Sequence, residues 1–175
     1  AIFAVNGDYY GFRDSGAVLR NGVLYRQNGE GDALLIDTDG NFTIIEQGQL
    51  TAEALETAWQ IFSFGPALVE NGVVAVDEGS EVSRSKRSNP RTAIGQVSEL
   101  HYLVIVSDGR TSQSEGMSLL QLAGEFAERG AAVACNLDGG GSSTMVFNGT
   151  VVNNPTNGRS DGDREVSDIV YIGYE

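Results

Sequence analysis

Alternating apolar and polar residues around four Asn-Gly or Asp-Gly pairs form the clearest pattern along the chain. Such pairs favour the tight turns whose central residues have positive φ, so each pair predicts a β-hairpin. The four turns are centred on Asn21-Gly22, Asp39-Gly40, Asn71-Gly72 and Asn148-Gly149. Two other segments, 102–106 and 131–137, are continuously apolar and predict central strands that are covered on both faces.

Two segments have apolar residues at helical spacing. The segment at about 51–62 begins with Thr51 as an N-cap and repeats apolar residues at i, i+3, i+4 and i+7. The segment at about 118–129 begins with a capping box of Ser118 and Gln121 and ends at Gly130. The sequence therefore predicts two main helices.

Many hairpins with only two helices do not suit a doubly wound sheet, which needs a helix between most strands. We predict an α+β fold with mixed, twisted, hairpin-rich β-sheets in a single domain, residues 1–175. The run of strand, helix and strand from Tyr102 to Leu137 predicts a crossover unit, around which we expect the mixed sheet.

The chain is strongly acidic, with a formal net charge of −13 and a pI near 4.3. This charge argues against binding to nucleic acids or to anionic membranes. A phosphate ligand would need a local cluster of cations, and four basic residues do lie close together, although a loop that offsets acidic neighbours would have the same composition. They are Arg84, Lys86, Arg87 and Arg91.

No apolar run approaches the roughly 18 residues of a membrane span, and no signal peptide is visible in this chain. The chain begins inside a predicted strand, so we expect a fragment or a mature form. The single cysteine, Cys135, and the single histidine, His101, argue against an internal disulfide, a cysteine zinc site and a Ser-His-Asp relay. Cys135 is expected to be a buried apolar residue rather than a nucleophile. Carboxylates must then carry any proton transfer.

A triglycine loop follows the second apolar run and is the most informative segment for chemistry. Asp138 ends the strand, and Gly139, Gly140, Gly141 and Ser142 follow it. Consecutive glycines allow a ligand to approach the main chain, and their amides can form a nest for an anion. A flexible loop is the alternative.

Asp108 and Arg110 follow the first apolar run in the same way. If the two strands are neighbours, Asp108 and Asp138 emerge at one end of the sheet and supply the two carboxyl groups usual in glycoside cleavage. A plain Asp-Gly turn is the alternative. Arg91 and Thr92 begin another apolar segment, where the guanidinium would either bind a phosphate or form a structural ion pair.

Polar and aromatic residues also lie near both ends of the chain. Asn6 and Tyr9 suit hydrogen bonding to a sugar and stacking on its ring, although Tyr9 would equally fit the edge of a core. Asn153 follows the last hairpin, and Arg164 lies in the segment 161–165, where two aspartates could ligate Ca²⁺ without completing a calcium loop.

In this order and separation, these motifs resemble the signature of the phosphodiester glycosidase family. The most specific blocks are Arg91-Thr92-Ala93-Ile94-Gly95 and Asp138-Gly139-Gly140-Gly141-Ser142, and Ser114-Glu115-Gly116-Met117 belongs to the same series. The resemblance implies a hydrolase that cuts the bond between a sugar's anomeric carbon and a phosphodiester. The candidate catalytic residues are Asp138, Asp108 and Glu115. The candidate substrate-binding residues are Asn6, Tyr9, Arg91, Thr92, Arg110, Ser114, Gly139, Gly140, Gly141, Ser142, Asn153 and Arg164.

The resemblance further implies a small-molecule or glycan sugar-phosphate substrate and a secreted or cell-envelope location, and the compact acidic form suits a bacterial protein. We assign no metal ligands and no certain cofactor, with Ca²⁺ or Mg²⁺ as an open alternative. Two other functions stay open at this point: a module that binds a sugar phosphate or envelope glycan without cleaving it, and a metal-assisted phosphodiesterase that cleaves P–O.

Overall fold

The computed structural model describes residues 1–80, 88–157, 160–161 and 164–174. Arg84, Lys86 and Arg87 of the basic stretch, and Gly162 and Asp163 of the segment considered for calcium, lie outside these residues. The strands of the first half are β1 (Phe3–Asn6), β2 (Val18–Arg20), β3 (Val23–Arg26), β4 (Asp32–Asp37), β5 (Phe42–Glu46), β6 (Ala58–Phe62), β7 (Ala67–Glu70) and β8 (Val73–Val74). Those of the second half are β9 (Arg91–Ser98), β10 (His101–Ser107), β11 (Val133–Asn136), β12 (Met145–Phe147), β13 (Thr150–Val151), β14 (Thr156–Asn157), β15 (Ser160–Asp161) and β16 (Ile169–Ile172).

The helices are α1 (Ala52–Thr57) and α2 (Leu119–Glu128), and short 3-10 turns lie at Tyr10–Phe12, Gln47–Gln49 and Gly140–Ser142. The strands form one sheet in the order β13-β12-β1-β16, a second in the order β10-β9-β11-β7-β8 and a third in the order β3-β2-β6-β4-β5, with β14 and β15 as a separate ribbon. This α+β arrangement confirms the predicted fold class.

All four predicted hairpins are present, as β2–β3, β4–β5, β7–β8 and β12–β13. Three of the turns have positive φ at both the Asn and the Gly, as the prediction requires. The Asp39-Gly40 turn differs, because only Gly40 has positive φ. There the Asp37 carboxylate accepts hydrogen bonds from the amides of Asp39 and Asn41 and shapes the turn instead.

The first helix is shorter than predicted. Thr51 caps it as expected, its side chain accepting a hydrogen bond from the amide of Ala54, but the helix ends at Thr57. Residues 58–62 form β6, which pairs with β2 and β4. Apolar spacing alone suits a helix at these positions, whereas pairing between two strands satisfies the backbone and buries Ile61 and Phe62.

The second helix begins at the predicted capping box, with the Ser118 hydroxyl and the Gln121 side chain each bonded to the other's amide. Its apolar face packs on the second sheet in a core that includes Leu68, Leu122 and Phe126. The opposite face of that sheet packs against the other two sheets. This second core includes Ile94 of the second sheet, Val5 of the first and Leu34 of the third. The second sheet is therefore the central layer, and α1 covers the outer side of the third sheet.

The crossover from Tyr102 to Leu137 exists as β10, α2 and β11, but it differs from the expectation in two ways. The strands β10 and β11 are parallel to each other with β9 between them, so the pairings in this sheet are antiparallel. Strand β11 is central, whereas β10 is an edge strand and only half-buried. The register nevertheless places the end of β10, the start of β9 and the end of β11 side by side. They form one edge of the sheet, which consists of strand ends and is distinct from the outer strand β10.

Candidate active site

A cleft of about 600 Å³ lies at that edge of the central sheet. It lies next to the first residue of β9, the last residue of β11 and the turn before β7. Its lining residues are Tyr9, Phe64, Gly65, Pro66, Ser80, Asn89, Pro90, Arg91, Arg110, Leu119, Asn136, Leu137, Asp138, Gly139, Gly140, Gly141 and Arg164. The triglycine loop and three predicted arginines therefore meet in one place.

Asp138 is the acidic residue among these lining residues, and it is only 7% exposed. Burial raises the pKa of its carboxyl above the ordinary value of 3.8. The Ser142 hydroxyl, the Gly139 amide and the charge of Arg164 act toward a lower pKa, and the charge of Asp8 acts toward a higher one. The Gly139 amide donates a hydrogen bond of 2.9 Å to Oδ1 and fixes the carboxylate's direction.

Asn6 and Thr92 lie behind Asp138 rather than in the cleft wall. Asn6 donates to the main-chain oxygen of Asp138, and its own side-chain oxygen accepts from the Thr92 hydroxyl and the Thr144 amide. Both side chains are buried and hydrogen-bonded to the protein. Both are candidate substrate-binding residues, and in this geometry their hydrogen bonds hold the loop that carries Asp138.

Most main-chain amides of the triglycine loop already donate hydrogen bonds to acceptors within the protein. The amide of Gly139 donates to Asp138, that of Gly140 to Pro90, and that of Ser142 to Gly139. Among the described residues, the Gly141 amide has no acceptor. The expected anion nest is thus reduced to one available amide in this loop.

Three arginines border the cleft. Arg91 is 6% exposed, and its Nε donates to the carbonyl of Met117 at 3.0 Å. Arg110 donates to the Asn89 side chain, and its guanidinium lies against Gly140, where an added Cβ would be 3.0 Å from Nη2. Gly140 also has a φ of 64°, a conformation that favours glycine, and any added side chain would displace the Arg110 guanidinium.

The third arginine, Arg164, is exposed, and its guanidinium carbon lies 5.7 Å from the centre of the Tyr9 ring. Tyr9 stacks in turn on Phe12. Arg164 therefore brings a positive charge to the aromatic side of the cleft, within electrostatic range of Asp138.

The structure places the other two candidate acids outside the cleft lining. Asp108 does emerge at the same edge of the sheet as Asp138, but its Oδ1 accepts from the side chain of Asn153 and the amide of Asn154. Glu115 is exposed on the following turn. Asn153 and Ser114, which are candidate substrate-binding residues, lie outside the cleft lining and hold this region together: Asn153 also bonds to Ser143 and Met145, and Ser114 to the carbonyl of Asp108.

Several lining residues were missed by the sequence interpretation. Phe64, Pro66 and Leu119 form an apolar wall, and Asn89 and Asn136 add amides. The Gly65-Pro66 pair is a turn signal that could have indicated a loop at the sheet edge. Nothing in the local pattern around Asn136 indicated that its side chain lies beside the cleft.

Asp8 lies outside the cleft lining and is hydrogen-bonded to the backbone of two segments that form its walls. Its buried carboxylate accepts from the amides of Tyr9 and Ser63 and forms an ion pair with Arg13. Tyr9 is a lining residue, and Ser63 immediately precedes Phe64. The same carboxylate therefore holds the two backbone segments that carry the aromatic side chains Tyr9 and Phe64.

Cys135 is fully buried, and burial raises the pKa of its thiol to about 12. This agrees with the prediction of an apolar core residue. Within the described ranges, His, Cys, Asp and Glu side chains form no group of three or more that could hold a metal ion. None of the helices in that part of the chain is long and apolar enough to span a membrane.

The family model for phosphodiester glycosidases matches residues 1–173. The chain belongs to the phosphodiester glycosidase family. Among its relatives is the N-acetylglucosamine-1-phosphodiester alpha-N-acetylglucosaminidase of Mus musculus, 34% identical over 65% of this chain and 23% of the relative. The human protein of the same name is 31% identical over 79% of this chain and 27% of the relative.

A bacterial relative is the SPbeta prophage-derived uncharacterized protein YomE of Bacillus subtilis, 29% identical over 99% of this chain and 28% of the relative. This family member thus spans about a quarter of the length of these curated relatives. Among solved structures, the catalytic domain of the zebrafish N-acetylglucosamine-1-phosphodiester alpha-N-acetylglucosaminidase, auto-inhibited by its pro-peptide, superposes with a TM-score of 0.80 at 24% identity. That match covers 99% of this chain and 64% of the zebrafish chain, and it shows the shared fold.

Proposed function

We propose that this chain hydrolyses a sugar-1-phosphodiester at the anomeric carbon and releases the sugar from its phosphate-linked partner. The observation that carries this proposal is that one cleft is bordered by a buried carboxylate, Asp138, and by the guanidinium groups of Arg91, Arg110 and Arg164. The family membership supports the same class of reaction.

The three arginines suit the phosphate part of the substrate. Guanidinium groups match phosphate oxygens in geometry and charge. In a chain with a net charge of −13, three cations at one cleft supply the local positive potential that an anionic substrate needs. They would stabilise the negative charge that develops on the phosphate as it leaves, and the Gly141 amide would add a hydrogen bond.

Asp138 suits the carbon side of the reaction. A phosphodiester is a weakly basic leaving group, so the departing oxygen needs little proton donation. The ionised Asp138 would act in one of two ways. It would remove a proton from a water molecule while the water oxygen bonds to the anomeric carbon, or its own carboxylate oxygen would attack that carbon. In both cases the electrons of the C–O bond pass to the phosphate. On the second route, water then attacks the anomeric carbon, the bond between that carbon and Asp138 breaks, the carboxylate is restored and the water's proton passes to solvent. Neither route requires Asp108 or Glu115.

The aromatic and apolar side of the cleft suits the sugar. Tyr9 and Phe64 offer ring faces on which a pyranose can stack. The mammalian relatives are named for N-acetylglucosamine-1-phosphodiester, so we propose N-acetylglucosamine as the first sugar to test.

The test is turnover of methyl N-acetylglucosamine-1-phosphodiester in ¹⁸O-labelled water, followed by mass spectrometry. We expect free N-acetylglucosamine and methyl phosphate without the label, since the anomeric oxygen of the free sugar also exchanges with water, and a rate about 10²–10⁴-fold lower for Asp138→Asn. Label in the phosphate would instead show P–O cleavage by a phosphodiesterase. Binding of the substrate without any release of sugar would show a binding module.

We also propose that the chain acts outside the cytoplasm. A structural neighbour from Burkholderia pseudomallei, with a TM-score of 0.54 at 21% identity, is described as a candidate exported protein. Fractionation of the source cells with an antibody against this chain tests the location, and recovery with the cytoplasmic fraction alone would contradict it.

A further inference from the structure

Asn136 is the last residue of β11, is 2% exposed, and has a side-chain orientation that is fixed by the protein. Its Nδ2 donates a hydrogen bond of 2.9 Å to the carbonyl of Gly65, and its main-chain amide donates to the carbonyl of Pro66. Rotating the amide by 180° would place its oxygen against the Gly65 oxygen. The position of Oδ1 is therefore determined.

Among the described residues, no donor reaches Asn136 Oδ1. Buried polar atoms of native proteins nearly always have a partner, and an acceptor without one is costly. The bond to Gly65 accounts for the donor half of this amide, whereas no contact among the described residues accounts for its oxygen.

Asn136 lies beside the proposed reaction centre. Side chains two residues apart along an extended chain point to the same side, and both Asn136 and Asp138 line the cleft. In extended backbone, two residues span roughly 6.6 Å, which is about the width of one sugar ring. A sugar whose anomeric carbon meets Asp138 would thus bring another part of its ring to Asn136.

We propose that Asn136 Oδ1 is a specificity-determining acceptor that takes a hydrogen bond from a hydroxyl or amide N–H on the sugar ring. This inference rests on the proposed function, because it assigns the sugar to this side of the cleft. Substrates that lack the donor leave the buried oxygen unpaired and are rejected for that reason.

The experiment measures binding, by calorimetry, of N-acetylglucosamine 1-phosphate, glucose 1-phosphate and monodeoxy forms of glucose 1-phosphate that each lack one ring hydroxyl. For the wild-type chain, we expect one removed donor to weaken binding by roughly 5- to 150-fold. In Asn136→Ala that difference should disappear. If affinity falls when one ring hydroxyl is removed, that hydroxyl is the donor. If only the N-acetyl sugar binds tightly, the donor is its amide N–H.

Gln96→Ala is the matched control. Gln96 is also a buried amide, but it bonds to Phe42 and Gly40 at the opposite end of β9 from the cleft. A general loss of packing would weaken all ligands alike in both variants. The loss of one acceptor changes the discrimination between ligands in Asn136→Ala alone. Discrimination that persists in Asn136→Ala overturns the inference.

A second measurement uses the wild-type chain and so does not depend on how the variant folds. The side-chain ¹³Cγ resonance of Asn136, assigned through its Nδ2 protons, should shift on binding the preferred sugar phosphate and not the form that lacks the donor. Equal shifts with both ligands overturn the inference. Because binding and NMR need no turnover, absence of sugar release with discrimination intact would refute the proposed hydrolysis and leave the role of Asn136 standing.

Discussion

The side-chain amide of Asn6 donates a hydrogen bond of 2.6 Å to the main-chain oxygen of Asp138. The same side chain accepts from Thr92 and Thr144, so the ends of β1 and β9 are joined to the loop that carries the carboxylate. A residue outside the cleft lining thereby holds the group proposed to act on the sugar.

Replacing Asn6 should lower both activity and stability. Asn6→Asp keeps an acceptor for Thr92 and Thr144 but removes the donor to Asp138, so we expect kcat to fall more than KM rises. Loss of a buried hydrogen bond should also reduce the free energy of unfolding by about 1–3 kcal/mol in urea titrations. Gln96→Ala is the comparison, with a similar loss of stability and unchanged kcat. Wild-type kcat in Asn6→Asp would contradict the positioning role.

Asp138→Asn should be more stable than the wild type at neutral pH although it is less active. Burial raises the pKa of Asp138 in the folded state, so the fold favours the protonated form. Burying the ionised carboxylate lowers the free energy of unfolding. This loss of stability is absent below the ordinary pKa of an aspartate and appears as the pH rises through the folded pKa. Thermal unfolding should therefore show a higher Tm for Asp138→Asn at pH 7, with the difference shrinking in acid.

Asp108→Asn is the control, and it should change the Tm in the opposite direction. The Asp108 carboxylate accepts from two donors, so an amide there loses accepting capacity and the Tm should fall. A lower Tm for Asp138→Asn at neutral pH would show that its carboxylate stabilises the fold.

The pH dependence of kcat/KM should move when Arg164 is replaced. The proposed reaction needs ionised Asp138, so the rate should fall in acid with a midpoint above the usual aspartate value. The charge of Arg164 lowers the pKa of Asp138, and Arg164→Gln should therefore shift that midpoint to higher pH. An unchanged or lower midpoint would indicate that another group controls the acid limb.

Arg110→Gln should weaken the binding of sugar 1-phosphates by about 10- to 100-fold, because a charge-assisted contact to phosphate is lost. Calorimetry at two salt concentrations should also show a weaker salt dependence. Arg129→Gln is a suitable control, since Arg129 is exposed at the end of α2 and pairs with Glu125 outside the cleft. Equal effects of the two variants would point to net charge rather than to the site.

The sequence was sufficient for the features that depend on local chemistry. The turns at Asn21, Asn71 and Asn148 followed from the need for positive φ, and α2 followed from its capping box. It was insufficient where tertiary pairing decides. Residues 58–62 have helical spacing, yet they form a strand because β2 and β4 lie on either side of them.

The same limit applies to the site. The sequence predicts Asp138, Arg91, Arg110 and Arg164 as individual candidates, and the structure adds that they border one cleft. The choice between Asp108 and Asp138 depends on which partners each carboxylate meets, which the chain pattern does not contain. Asn136 is recognisable only through its unpaired oxygen, a property of the packed state.

The hydrogen bond between Asn6 and Asp138 closes a separation of 132 residues. Closing so large a separation costs loop-closure entropy before the contact itself contributes. The proposed activity thus depends on a long-range closure, and its recovery during refolding would report when the first strand has joined the loop that carries Asp138.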